Sequence, residues 1–391
     1  MSQPAGRKVA ILSAVHLALD NRVFYREART LARAGYDVTL IAVHDRDETR
    51  DGVRIRALPR VARSRRPLLW RTLGRMARAT EADLFHFHDP ELLLLSPWLR
   101  RVTGRPTVYD IHEANADFIA VKEYLPPAVR HPLAGLFRRL EPRLAAGESG
   151  LIFADDAIAA DFAGFAGPQT TLFNFPGREL IAQGAAATGP RPDPVVLYLG
   201  GMERNRGATL LVEAFARVVA EMPAARLLLV GHFAPPALEA EVRADAARRG
   251  IGHAVEIAGR VPFARIGDYL ARARVGWVTW GAAAKNRKNI PTKLFEYMAY
   301  GLPVVSSDLP STRPFVPPDV GLLAAADDPA AHAAALLRLL GDPATAERLG
   351  AAGRRRVADQ WNWDAMESRL LDLYEALLEK NLTQRRKERQ A

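Results

Sequence analysis

Short apolar runs alternate along the chain with longer amphipathic stretches. Residues 9–13, 37–43, 84–88, 107–111 and 151–154 read as strands set between helical segments, which predicts a parallel sheet with helices on both faces. The pattern then starts again, with 195–199, 226–230, 254–257, 275–279 and 303–306 as a second set of strands. The fold class is therefore α/β, with two doubly wound domains. Between them, 176–194 is rich in Gly, Ala and Pro with little periodicity, as a connection or hinge should be. Residues 364–380 form an amphipathic helix after Trp361 and Trp363, and the basic tail from Gln384 is expected to fray. The expected division is 1–180, 190–363 and 364–391. No solenoid-type repeat is present.

Length supports the same division. At 391 residues and 49% hydrophobic composition the chain can fill two cores. Runs such as 92–95 are broken by Pro97 and Arg100, well short of the ~20 apolar residues a membrane span needs. Residues 1–7 have no apolar core after their basic residue, and the first apolar run, 9–15, reads as a buried strand, so no export is expected. Without cysteine there is no disulfide, no thiolate zinc site and no cysteine nucleophile. Lys and Arg number 54 against 44 Asp and Glu, a net charge of +10. That surplus favours anionic partners, although an arginine-rich surface in a GC-rich proteome has the same charge.

The stretch 288–306, KNIPTKLFEYMAYGLPVVS, carries the most chemistry. Pro291 and Thr292 suit a helix start, Gly301 suits a left-handed cap, and Pro303 blocks continuation. The start of such a helix, at the carboxyl edge of a parallel sheet, is suited to an anion such as a diphosphate. Glu296 lies in its first or second turn, where its carboxylate can accept hydrogen bonds from ribose hydroxyls.

This segment resembles that of the retaining glycosyltransferases of family four, and the resemblance covers nearly the whole chain. The family reads Glu, seven residues, Glu-x-M-A-x-G-x-P-V-V, which Glu296, Met298, Ala299, Gly301, Pro303, Val304 and Val305 match. It implies a GT-B fold of two facing Rossmann-like domains with an interdomain cleft, and gives Glu296 the role of holding the nucleotide ribose. Lys288 stands at the family's first glutamate, leaving backbone amides around Asn289 and Ile290 to hold donor-sugar hydroxyls.

Residues 198–215, YLGGMERNRGATLLVEAF, are similar to the family's strand, glycine-arginine turn, lysine-glycine pair and helix. Arg206-Gly207 replaces lysine-glycine, which makes Arg206 the electrophilic residue beside the leaving diphosphate. Gly200 and Gly201 form the turn. Gly201 replaces the family's arginine, with Arg204 or Lys293 as the candidate substitute cation. The plain alternative is a strand-turn-helix with surface arginines. Residues 257–270, IAGRVPFARIGDYL, resemble the loop that packs on the nucleobase, with Arg260 and Val261 as carried-over contacts. Asn174 in TLFNFP resembles a turn near the hinge and reads first as structural. Trp363 and the helix after it resemble the segment that crosses back to the first domain.

In the first half, YDIHE places His112 just beyond a strand, where the family has a histidine that reaches the donor sugar; a satisfied structural histidine is the plain alternative. HLALDNR, 16–22, resembles a subgroup reading D-x-R-V. Asp20 and Arg22 either face the cleft and touch acceptor or phosphate, or pair with each other and cap the next helix. His86 and His88 share a strand face with Asp89 following, but one H-x-H-D without a second ligand cluster reads as a strand end, and no metal is expected. Residues 54–78 interleave arginines with apolar side chains, a composition found both in segments lying on anionic membranes and in solvated basic helix faces.

The resemblance implies transfer from a nucleotide-diphosphate sugar, a UDP-sugar ahead of a GDP-sugar, to an acceptor hydroxyl with retention, in polysaccharide or glycolipid assembly. Arg206, Lys293 and backbone amides would replace a divalent ion, and no cofactor is expected. The expected setting is cytoplasmic and peripheral on the inner membrane face, with a lipid-linked acceptor and no nucleic acid. A nucleotide-sugar epimerase of the same fold and a degenerate nucleotide-binding subunit remain as alternatives.

Overall fold

The computed structural model describes residues 6–122, 125–187, 189, 191 and 193–390, apart from the side chains of 264 and 384–390. The reading of 1–7 as lacking a leader, and the connection 176–194, therefore each lie partly outside the described residues. Two compact units are present, Met1–Asn174 with Asp364–Ala391, and Phe175–Trp363.

The first unit is built on strands β1 (Lys8–Leu17), β2 (Asp37–Val43), β3 (Glu48–Arg50), β4 (Val53–Leu58), β5 (Leu84–Phe87), β6 (Thr107–Ile111), β7 (Gly150–Phe153) and β8 (Gln169–Thr171), in the order β3-β4-β2-β1-β5-β6-β7-β8. Every pairing is parallel except β3 with β4. The central strands are covered on both faces, which is why β5, β6 and β7 are buried at every position and are mostly apolar, with His86, Thr107 and Asp110 as buried polar exceptions.

The basic stretch 54–78 is not one surface segment. Its first part is β4, whose period-two pattern buries Val53 and Ile55 and exposes Arg54 and Arg56. Those two arginines pair with Asp37 and Asp47. After a bend, Arg66–Ala79 is a helix that turns Leu73, Gly74 and Ala77 into the core. Of the apolar residues interleaved with arginine, Leu58 and Leu73 are buried and Trp70 and Met76 pack against the core, whereas Leu68 is exposed.

The last helix, Trp363–Gln390, packs on the first unit from Asp364 onward. Tyr374 is fully buried with its hydroxyl 2.7 Å from His86 Nδ1. Leu377 fits over Gly150, where an added Cβ would come within 2.8 Å of it. Glu367 accepts hydrogen bonds from Thr30 and Arg33. The helix continues to Gln390, through the tail expected to fray.

The second unit has six parallel strands, β9 (Val195–Leu199), β10 (Arg226–Val230), β11 (Val255–Gly259), β12 (Val275–Val278), β13 (Val304–Ser307) and β14 (Gly321–Ala324), ordered β11-β10-β9-β12-β13-β14. The chain starts at β9, builds outward through β10 and β11, and returns to β12 on the other side. The direction of winding reverses between β9 and β12, which makes their carboxyl ends the crevice where ligands bind in such sheets. Among the described residues, no helix is long and apolar enough to cross a membrane.

Candidate functional sites

At the carboxyl edge of the second sheet, three loops meet beside that reversal. The loop after β9 needs glycine twice. Gly200 has φ +110°, and Gly207 has φ +79° with the carbonyl of Thr279 only 2.0 Å from where a Cβ would stand. The loop after β10 lies against the first, because Gly200 N donates to Val230 O and Met202 N to His232 O. The loop after β12 is fixed by Thr279 Oγ1 donating to Arg206 O at 2.8 Å and by Asn286 Nδ2 donating to Asn205 O and Gly281 O.

Two cations bracket the Gly200-Gly201 peptide. A methyl group on Gly200 would lie 3.5 Å from Lys293 Nζ, and one on Gly201 would lie 3.4 Å from Arg206 Nη1. Arg206 is loosely held, 3.4 Å from Gly201 O, 3.5 Å from Glu203 Oε1 and 5.7 Å from the ring centre of Trp280. Lys293 is buried with its ammonium 3.5 Å above the ring centre of Tyr198 and no hydrogen-bond acceptor. Burial and the neighbouring Arg206 charge push its pKa well below the usual lysine value, against the opposing pull of Glu296 and Glu203.

Lys293 opens the short helix Lys293–Ala299, which ends, as its sequence predicts, at Gly301 with φ +66°. Pro291 is buried and Thr292, Ile290 and Lys288 are half-buried on the approach to that helix, with Glu296 half-buried in its first turn. Of the two candidate substitutes for the missing arginine, only Lys293 reaches the glycine turn. Arg204 lies on the surface, 2.6 Å from Glu241. The Asn289 amide is likewise committed, donating to Lys285 O at 3.0 Å rather than being left open for a sugar hydroxyl. Arg260 is exposed and Val261 half-buried just past β11, whose Gly259 O accepts from Gly231 N.

In the first unit the carboxyl ends of β1, β5 and β6 hold a different kind of cluster. The chain leaves β1 through Ser13 and Ala14, both tied to the buried carboxylate of Asp89. Asp20 Oδ1 accepts from the amides of Arg22 and Val23 and so caps the helix that follows. That helix begins with a wide turn of π type, Val23–Ala28; Glu27 within it and Arg22 just before it are both buried. Arg22 therefore neither faces outward nor pairs with the Asp20 side chain. Its guanidinium forks onto both oxygens of Asp110 at 3.0 Å, lies 2.8 Å from Glu27 Oε1, and donates to Leu172 O and Asn174 Oδ1. Asn174 is thus structural, as its turn suggests.

His112 joins the same network. Its Nε2 lies 2.8 Å from His88 Nδ1 and 3.3 Å from Asp110 Oδ2, and its ring centre is 4.9 Å from that of His16. His16 lies 3.6 Å from Asp20 Oδ2, so Asp20 and His112 meet through His16 at the partly open end. The rings of His86 and His88 lie 4.5 Å apart, tilted by 37°, beneath it. Burial lowers His86 well below the usual histidine value and His88 to about 4, so both are neutral near pH 7. Burial and the Asp110 charge raise Glu27 well above the carboxylate range. Burial would raise Asp110 too, but Arg22 and His112 hold it well below.

Among the described residues, Glu27, His86, His88 and Asp110 are placed to share a metal ion, with ligand atoms all within 4.8 Å of one another. Both imidazole Nε2 atoms lack a hydrogen-bond partner, and the donor set suits a zinc-like ion. The charge balance points elsewhere. Arg22 already occupies both oxygens of Asp110 and lies 2.8 Å from Glu27 Oε1, so the two carboxylates have a cation between them without an ion. Glu27 lies in no motif, and Asp110 and His16, though within YDIHE and HLALDNR, are not singled out by them; their roles emerge only once β1, β5 and β6 pair in register, with Ile11 beside His86 and His86 beside Val108.

Two family models match the chain, a glycosyl transferase 4-like domain over 21–174 and glycosyl transferases group 1 over 193–342. A phosphatidyl-myo-inositol mannosyltransferase of Mycobacterium leprae is 26% identical over 303 residues, covering 75% of this chain and 74% of the relative. D-inositol 3-phosphate glycosyltransferase 1 of Catenulispora acidiphila is 25% identical over 332 residues, covering 79% and 75%. Among solved structures, sucrose-phosphate synthase from Thermosynechococcus elongatus superposes with a TM-score of 0.78 at 22% identity, covering 96% of this chain and all of the other. Anabaena HepE in complex with UDP and glucose gives 0.73 at 15%, covering 95% and 100%. With one α/β domain matched by each model and the GT-B fold common to these neighbours, the chain belongs to the family-four glycosyltransferases.

Proposed function

We propose that the chain transfers a sugar, with retention, from a nucleoside-diphosphate sugar to an acceptor hydroxyl in glycolipid or polysaccharide assembly. The observation that carries this reading is the buried, acceptor-less ammonium of Lys293 beside Arg206 at a glycine turn. A pyrophosphate placed there supplies the counter-charge that Lys293 lacks and the hydrogen-bond acceptors that both cations need. In the transition state negative charge grows on the departing diphosphate, and two fixed cations in a partly dry pocket stabilise it in place of a divalent ion. The sugar becomes oxocarbenium-like while the diphosphate remains on the face the acceptor hydroxyl attacks. Glu296 is assigned to the ribose, Arg260 and Val261 to the base, and the His16–Asp20–His112 end to sugar hydroxyls. A lipid-linked acceptor is favoured by relatives named for phosphatidylinositol substrates.

The test is a panel of UDP- and GDP-sugars with lipid and saccharide acceptors, read by nucleoside diphosphate release and by mass and anomeric configuration of the product. One relative is named as GDP-mannose-dependent and one neighbour holds UDP, so the panel must include both bases. Arg206→Ala is expected to lower kcat by about 10²–10³-fold and Glu296→Ala to weaken donor use, each with an unchanged circular dichroism spectrum. Sugar isomerisation without acceptor would make the protein an epimerase. No turnover with any donor, despite nucleotide binding, would make it a non-catalytic subunit.

A further inference from the structure

Large exposed apolar side chains are unevenly spread. Of fifteen among the described residues, nine lie on one layer of the first unit: Leu68, the three at 94, 98 and 102, and five on the helix Pro127–Ala145. The last five, Val129, Leu133, Leu136, Leu140 and Leu144, are each 39–52% exposed and recur at spacings of four, three, four and four. That is a single stripe along one face of an α-helix. The helix buries only Ala134, Glu141 and Ala145, so its apolar face is the outer one.

The neighbouring helices share this layer. The connections β4 to β5, β5 to β6 and β6 to β7 all step the same way across the sheet, so right-handed crossovers put Arg66–Ala79, Ser96–Thr103 and Pro127–Ala145 on one face. Leu73, Leu99 and Ala145 accordingly meet in a common core, and Trp98 packs on Gly74. The three helices contain ten arginines and one acid. That acid, Glu141, is buried against Tyr109 and Asn115. Arg139 and Arg143 follow the leucine stripe on one side, and Arg130 on the other.

We infer that this helix layer docks on an anionic lipid bilayer, with the stripe at 129–144 entering the headgroup boundary and the flanking arginines meeting lipid phosphates. The charge decides between occupants. A second copy of the same face would set arginine against arginine, whereas an anionic bilayer complements both the leucines and the arginines. Helices without an exposed acid suit a negatively charged surface and repel one another. The inference does not rest on the donor or on catalysis, because its readout is adsorption to lipid alone.

The test is co-sedimentation of the full-length protein with vesicles of phosphatidylcholine, or of phosphatidylcholine with about one-third phosphatidylglycerol. Binding to the anionic vesicles is expected to exceed that to the neutral ones by about tenfold or more, and to fall as salt rises. The triple variant Leu133→Gln, Leu136→Gln, Leu140→Gln and the double variant Arg139→Gln, Arg143→Gln should each cut it by about tenfold, with the thermal transition and nucleotide affinity of the parent. Leu323→Gln, an exposed leucine of the second unit, should leave it unchanged. Undiminished binding by the folded triple variant would overturn the inference, as would failure to bind either vesicle. Sedimentation velocity without lipid closes the remaining route: a dimer that the triple variant dissolves would assign the stripe to a second copy.

Discussion

Both units gather charge at the carboxyl edge of a parallel sheet, but they balance it in opposite ways. In the first, the Arg22 guanidinium forks on Asp110 and lies beside Glu27, and three histidines pack against the same two carboxylates. In the second, Lys293 is as deeply buried, yet its ammonium sits over an aromatic ring beside a neighbouring cation and makes no hydrogen bond, with only the through-space pull of Glu296 and Glu203 in opposition. A buried charge without a partner costs several kcal/mol and persists only where something else compensates. The first cluster therefore reads as an internally closed scaffold for His112, and the second as half of an ion pair whose other half is the ligand.

Removing one member should separate the two. Asp110→Asn strips Arg22 of its bidentate partner and leaves a buried guanidinium beside Glu27. The expected loss is about 3–5 kcal/mol, read as an earlier denaturant midpoint of the first unit. Lys293→Met keeps the volume and removes an uncompensated charge, so stability should stay level or rise by about 1 kcal/mol, while nucleoside diphosphate binding weakens by about tenfold or more. Destabilisation by Lys293→Met of the size expected for Asp110→Asn would mean that the second cluster is structural as well. Between these in size lies Gly207→Ala. A Cβ there meets Thr279 O at 2.0 Å in a backbone region that disfavours it, at a cost of about 1–3 kcal/mol and with Arg206 displaced.

The same contrast explains what the sequence revealed. Strands such as 37–43, 107–111, 195–199 and 226–230 stand at their predicted positions, because strands buried on both faces are predominantly apolar runs. The strands at the sheet margins were hidden: β4, next to the edge, alternates valine and isoleucine with arginine, so its charge outweighs its period, and the edge strands β3, β8 and β14 are three or four residues long. In the second unit the glycine turn, Arg206 and Lys293 fall within two motifs, and the fold brings those motifs together. In the first, the partner of His112 lies two residues away at Asp110, but the partners of Asp110 lie 88 residues away at Arg22 and on β5. No local spacing encodes such a cluster; strand register does. The exposed leucine stripe at 129–144 was likewise illegible, since 54–78 looks more membrane-like by composition than 127–145, and only burial distinguishes them.

The smallest expected effect discriminates most finely, because it follows one proton. In the unliganded protein, burial and Arg206 hold the Lys293 pKa well below its unfolded value. Over that window the unfolded chain binds the extra proton, so stability rises with pH. A pyrophosphate beside Lys293 reverses the balance by favouring the charged form, and the bound pKa lies above the free one. Binding between those two values must take up as much as one proton, and affinity then falls with rising pH by up to about tenfold per unit. Above about pH 8 the terminal phosphate is fully ionised and no longer contributes. Titration calorimetry of UDP or GDP in buffers of unlike ionisation enthalpy counts the proton directly. The uptake should vanish in Lys293→Met, whereas Asp110→Asn, acting in the closed cluster, should leave it intact. Equal uptake by the parent and Lys293→Met would place the proton on another group and break the pairing of Lys293 with the diphosphate.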